Sequence, residues 1–249
     1  MARLSDIVTY TDDLLAIDEY QDYCPNGLQV QGREEVNTLV SGVTASRELV
    51  ERAAHVGADA LLVHHGYFWK GEDPRVIGMK YERLRCLIDA GISLIGYHLP
   101  LDGHPELGNN ARLGALLGLE TTGYFGRDNL ARFAVLEKAV SSIELARRLE
   151  STLERAPLHI RGAERPLERI GWCSGAAQGF LADAAALGLD AFISGEISEP
   201  TVHTARELGI DYFAAGHHAT ERYGVQALGG HLAEQFRIEH HFIEVPNPV

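Results

Sequence analysis

An internal duplication constrains this chain more tightly than any other feature of its sequence. The first copy opens with an apolar, strand-like run, Thr38-Leu-Val-Ser-Gly-Val-Thr44. It passes into a stretch from Ser46 to His55 with apolar residues at helical spacing, and reaches Gly57-Ala-Asp59-Ala-Leu-Leu-Val-His-His-Gly66. The second opens at Arg169-Ile-Gly-Trp-Cys-Ser-Gly-Ala-Ala177, crosses a helical stretch from Phe180 to Ala186, and reaches Gly188-Leu-Asp190-Ala-Phe-Ile-Ser-Gly-Glu196. Each copy then repeats helix and strand, ending in Gly91-Ile-Ser-Leu-Ile-Gly-Tyr-His98 and Gly209-Ile-Asp-Tyr-Phe-Ala-Ala-Gly-His217. In both, glycine ends the helix and a buried apolar run follows.

Alternating strands and helices predict mixed or parallel sheets covered by helices, with ligands bound at the carboxyl ends of the strands. The expected fold is α/β: two duplicated lobes with mixed sheets flanked by helices, related by a pseudo-two-fold axis. Between the copies, Arg132-Phe-Ala-Val-Leu-Glu137 reads as a strand and Ser142 to Glu154 as a capped amphipathic helix that begins the second half. The lobes are therefore expected to span residues 1–125 and 126–249.

Both copies finish on a histidine, three residues and a carboxylate: His98-Leu-Pro-Leu-Asp102 and His217-His-Ala-Thr-Glu221. Two such corners brought together would make a site for two ions. His64 and His65 emerge where a buried strand becomes a loop, and strand alternation predicts that they point apart and serve different ions. His217 and Glu221 are four residues apart, so on a helix they share a face; the competing reading is an ordinary His–Glu contact on a solvated surface. Asp102 follows Leu99-Pro-Leu in a segment that two prolines and a glycine should keep irregular. Its carboxylate can bridge two cations, and capping of the following helix is the alternative. Three neutral imidazoles and two carboxylates suit zinc, iron or manganese and suit calcium poorly. His98 is either a further ligand or an orienting partner, and Glu196, at the position of His65 in the first copy, is a candidate proton acceptor. His55, His104, His159, His203, His231, His240 and His241 show no convergent spacing and are read as surface or packing residues.

Composition narrows the function classes. Lys and Arg total 22 against 35 Asp and Glu, a net charge of −13. That balance opposes a groove for nucleic acid, whose capture depends on clustered positive charge. No run approaches the roughly 18 apolar residues of a membrane span, and the first residues lack a signal-peptide core. The three cysteines, Cys24, Cys86 and Cys173, are widely separated and suggest neither a disulfide framework nor a thiolate zinc site, so a reducing cytoplasm is expected. The glycines from Gly171 to Gly179 form no dinucleotide or Walker loop.

Pro25-Asn-Gly-Leu-Gln-Val, Val43-Thr-Ala-Ser, Val63-His-His-Gly-Tyr-Phe-Trp, Tyr97-His-Leu-Pro-Leu-Asp, Gly216-His-His-Ala-Thr-Glu and the closing Pro246-Asn-Pro together resemble the NIF-three-like family. Its members carry the name GTP cyclohydrolase 1 type 2 homologue, and the likeness is greatest to the bacterial YbgI type. The resemblance runs through the chain in order and is weakest from Tyr124 to Gly162. It implies a toroidal homohexamer with a dinuclear metal centre in each subunit, and it places the ligands on His64, His65, Asp102, His217 and Glu221. It does not supply a reaction, because a shared fold and centre do not fix a substrate.

Two functions follow as expectations. One is a metal-dependent hydrolase of cyclohydrolase type acting on a purine or similar small molecule: two ions roughly 3.5–4 Å apart can bring the pKa of a water towards about 7 and polarise the group attacked. Glu196 or His98 would then move protons. The other is a non-enzymatic ring that stores or delivers metal, or acts as a scaffold.

Overall fold

In the computed structural model, which describes residues 1–249, each copy of the repeat builds three parallel strands. In the first, Thr38–Thr44, Ala60–His65 and Ser93–Gly96 lie side by side, with Leu39 opposite Ala60 and Leu61 opposite Leu94. Gly27–Val30 adds an antiparallel edge and Glu239–Phe242 a parallel one, giving a five-stranded mixed sheet. In the second, Leu167–Cys173, Ala191–Ser194 and Asp211–Ala214 are parallel, with Ile170 opposite Ala191 and Phe192 opposite Tyr212. Leu158–Ile160, Ala131–Val140 and Gly123–Phe125 extend it antiparallel to six strands. Helices flank the sheets, as the alternation of patterns predicts.

Local chemistry sets the helix ends. Ser46 accepts a hydrogen bond from the Leu49 amide at the start of Arg47–His55, and Ser141 accepts one from Glu144 at the start of Ser142–Leu153. Gly91 and Gly209 terminate Gly78–Ala90 and Glu199–Leu208 in the left-handed region, at φ 67 and 64°.

The repeated Gly-x-Asp has a structural meaning that the spacing alone did not reveal. Asp59 Oδ2 accepts from the Asn37 and Thr38 amides at 2.9 and 3.1 Å, and its Oδ1 takes the Arg33 guanidinium at 2.9 Å. Asp190 does the same for the Glu168 and Arg169 amides, both at 2.9 Å, with Arg165 on its Oδ1. Each carboxylate pins the entry of the neighbouring parallel strand. Burial raises the Asp59 pKa, but the two amides and Arg33 outweigh it and hold the group below the usual carboxylate range. The folded pKa is thus the lower one, so the stabilisation is complete above the unfolded value near 3.9 and is lost as the pH falls through the folded value. Asp59→Ala is expected to cost about 2 kcal/mol at pH 7, and the deficit should shrink below about pH 4. Urea unfolding of both proteins at the two pH values checks this.

The chain divides into two compact units, Met1–Gly108 with Gly224–Pro246, and Asn109–Tyr223 with Asn247–Val249. Residues 109–125, placed with the first lobe on sequence grounds, thus fall in the second unit, and 224–246 fall in the first. Packing is the reason. Leu113, Leu117 and Leu119 are buried with Leu149, Ile170 and Trp172. Val225, Leu228 and Leu232 are buried with Leu39, Leu62 and Tyr97. The helix His217–Phe236 is unbroken across 20 residues despite Gly224, Gly229 and Gly230. At Gly229 a Cβ would come within 2.2 Å of the His240 ring, so glycine there is a packing requirement rather than a break. His231 and His240 take the packing roles expected of them, bonded to Tyr10 and Ser41. No helix is long and apolar enough to cross a membrane.

Candidate metal centre

In the first unit, the parallel strands Ala60–His65 and Ser93–Gly96 end side by side, which delivers His64, His65 and His98 to one place. Their ligand atoms lie within 4.8 Å of one another. Strand alternation does not hold the first two apart as expected, since their ring centroids are 4.6 Å apart at 45°. His65 is the last residue of the strand, still paired with Thr44, and there the two rings tilt towards each other. His64 is 0% exposed, and its Nδ1 lies 2.9 Å from the Tyr97 carbonyl oxygen. A carbonyl only accepts, so Nδ1 carries a proton, and in the neutral ring the lone pair then lies on Nε2. The carbonyl is itself fixed: buried Tyr97 donates its hydroxyl to Asp12 Oδ1 at 2.7 Å. Burial pushes the Tyr97 phenol well above its ordinary pKa and raises the Asp12 carboxyl.

Asp102 Oδ1 lies 3.6 Å from His64 Nε2, and the residue is 6% exposed. It sits on a short helix, Leu99–Gly103, not on an irregular loop. Pro100 occupies the first turn, where a missing N–H costs nothing, so the prolines do not prevent the helix. His65 is held by Thr44, whose hydroxyl lies 3.1 Å from its Nδ1.

His98 is oriented by a residue that the sequence reading missed. Asp22 Oδ1 lies 2.7 Å from His98 Nδ1, and the same carboxylate accepts from the Leu99 and Tyr23 amides and from Asn26 Nδ2. Asn26 in turn accepts from the His98 amide. Burial alone would raise the Asp22 pKa; the His98 hydrogen bond and charge, then Asn26 and Tyr23, bring it down to about 2. The Cys24 thiol beside them is pushed up to about 12 by burial and by Asp22, so it is protonated at neutral pH in the metal-free protein. The only sequence signal for Asp22 is its four-residue spacing from Asn26, which is common in loops.

In the second unit, the first turn of the helix His217–Phe236 puts His217 Nε2 3.0 Å from Glu221 Oε2, as the four-residue spacing predicts. His217 Nδ1 lies 2.7 Å from Glu196 Oε1, so Glu196 orients the imidazole. Burial lowers the His217 pKa, but Glu221 and then Glu196 outweigh it and raise it to about 9. Glu221 is 2% exposed. Its place depends on Gly175, which has φ +63°; a Cβ there would stand 2.2 Å from Glu221 Oε1. Gly175→Ala combines left-handed strain with that clash and is expected to cost about 2–3 kcal/mol and to displace the carboxylate. Thermal unfolding together with a metal-binding titration checks both effects.

The residues fit a divalent ion. Each proposed imidazole ligand has Nδ1 against a fixed partner, Tyr97 O for His64, Thr44 Oγ1 for His65 and Glu196 for His217, which orients the ring with Nε2 on the opposite side. His64 Nε2 lies 3.6 Å from an Asp102 oxygen, too long for a hydrogen bond, and a cation between the two would turn both into ligands. Imidazole and carboxylate donors together suit a borderline metal such as zinc, iron or manganese.

A family model described as Duf34/NIF3 (NGG1p interacting factor 3) matches residues 2–248. A Pseudomonas aeruginosa protein named GTP cyclohydrolase 1 type 2 homolog is 52% identical over 248 residues, 98% of each chain. Among solved structures, a protein named YbgI, described as of unknown function, shares the fold with a TM-score of 0.96 and 46% identity over 100% of both chains. A protein of Thermus thermophilus does so with a TM-score of 0.92 and 32% identity, again over 100% of both. With a family match from end to end and relatives at half identity, this chain belongs to the DUF34/NIF3 family.

Proposed function

We propose that the chain is a divalent-metal-dependent hydrolase of cyclohydrolase type acting on a purine nucleotide or similar small molecule. His64, His65, Asp102, His217 and Glu221 would be the ligands of two divalent ions per subunit. The observation that carries this reading is buried His64 Nε2 set 3.6 Å from a buried Asp102 oxygen. Bound ions would supply Lewis acidity and a water of lowered pKa. The protein's own part is positional: Tyr97 and Thr44 set the ring orientations of His64 and His65, and Glu196 sets that of His217. Glu196 and His98 would carry protons, and Asp22 holds the Nδ1 side of His98. The name shared by the curated relatives supports the substrate class. Incubating zinc-, iron- or manganese-loaded protein with GTP and other purine nucleotides should release formate. Silence across all three metals and the nucleotide set rejects the hydrolase.

The depth of His64, Asp102 and Glu221, at 0, 6 and 2% exposed, favours a second reading, a closed centre that stores metal or holds a scaffold. We read the assembly as a homohexamer in the cytoplasm under either function, and the three free cysteines suit a reducing compartment. Asp102→Ala separates the two. Lost turnover with an intact hexamer in light scattering supports the enzyme; lost assembly supports the scaffold.

A further inference from the structure

Beside the proposed ligands, the first unit gathers aromatic rings around His98. Trp69 meets His98 edge to face, with centroids 5.0 Å apart at 84°, and lies 6.0 Å from His65. Tyr23 stands 6.3 Å from His98 at 61°. Two hydrogen bonds build the arrangement: the Lys70 amide donates to the Tyr23 carbonyl at 2.6 Å, and the indole Nε1–H of Trp69 donates to the Gly66 carbonyl at 3.2 Å. Between them Phe68 holds φ +66°, a conformation that costs a bulky residue about 1–2 kcal/mol. Such strain persists only where the surroundings over-determine it, and it clusters at ligand sites. These rings are not core: Tyr23 is 48% exposed, and Trp69 is half-buried.

We propose that Trp69 and Tyr23 form a stacking platform beside His65 and His98 that takes the planar heteroaromatic ring of the substrate, a purine in the hydrolase reading on which this rests. The charge of the chain points the same way. At −13 the chain itself offers a polyphosphate no general attraction, which raises the share of binding that contacts to the base must supply. Aromatic side chains supply it, because every base presents a π-face.

The chain has two tryptophans, and Trp172 is 0% exposed, so ligand-dependent quenching reports on Trp69. Chelator-treated protein is titrated with guanosine, GTP and inorganic tripolyphosphate, so that neither metal nor turnover enters. Guanosine and GTP should quench and tripolyphosphate should not. By equilibrium dialysis, Trp69→Leu should weaken guanosine about tenfold and Trp69→Phe less than about threefold. Tyr23→Leu, at a ring that is 48% exposed, should weaken it several-fold while far-UV circular dichroism stays unchanged. Absence of quenching by guanosine, equal quenching by tripolyphosphate, or unchanged guanosine affinity in both leucine variants overturns the platform. Failure of the hydrolase reading shows separately, as metal-loaded protein that binds guanosine through Trp69 but releases no formate.

Discussion

His64→Ala should leave the protein folded yet short of metal, losing at least one bound ion per chain by elemental analysis while its far-UV circular dichroism stays unchanged. The side chain is fully buried, its Nδ1 lies against the Tyr97 carbonyl, and its Nε2 faces Asp102 at 3.6 Å. Removing a partner that merely orients a ligand lowers metal affinity roughly 10–100-fold. Glu196→Gln, which loosens the His217 ring without removing a donor, belongs in that range. Loss of His64 takes away a donor and should exceed it. The ordering His64→Ala below Glu196→Gln below wild type, in affinity measured by competition with a chromophoric chelator, is the expected result.

Trp172→Ala should be the most destabilising single change, by about 3–5 kcal/mol. Trp172 is 0% exposed in the core of the second unit, and its Nε1–H donates to the Asn110 carbonyl at 2.8 Å. Gly114 is shaped around it, since a Cβ there would fall 2.6 Å from the indole. Truncation therefore empties a large cavity and leaves a buried carbonyl without its donor. For a chain of this size the melting temperature should fall by about 10 °C or more in a thermal scan.

The duplication was legible because each copy needs the same buried strands and the same turn chemistry, so the three parallel strands and the Gly91 and Gly209 helix ends follow directly from pattern. The four-residue spacing of His217 and Glu221 was enough to pair them. Three features escaped. The closeness of His64 and His65 depends on how two rings tilt at the end of a strand, which periodicity does not encode. Asp22 reaches His98 across 76 positions of sequence, a separation that leaves no local signal. Gly175 is explained only by the carboxylate that it must admit. The unit boundaries, too, reflect which core takes the turns of one continuous helix, a matter of tertiary packing rather than of local pattern.

The most direct test counts ions. Protein purified without chelators and without added metal, analysed by inductively coupled plasma mass spectrometry alongside an Asp102→Ala, Glu221→Ala double variant, should carry two equivalents of zinc, iron or manganese per chain, and the variant should carry almost none. A wild-type chain that is folded, holds none of these metals and takes up none when they are offered would contradict the account at its base.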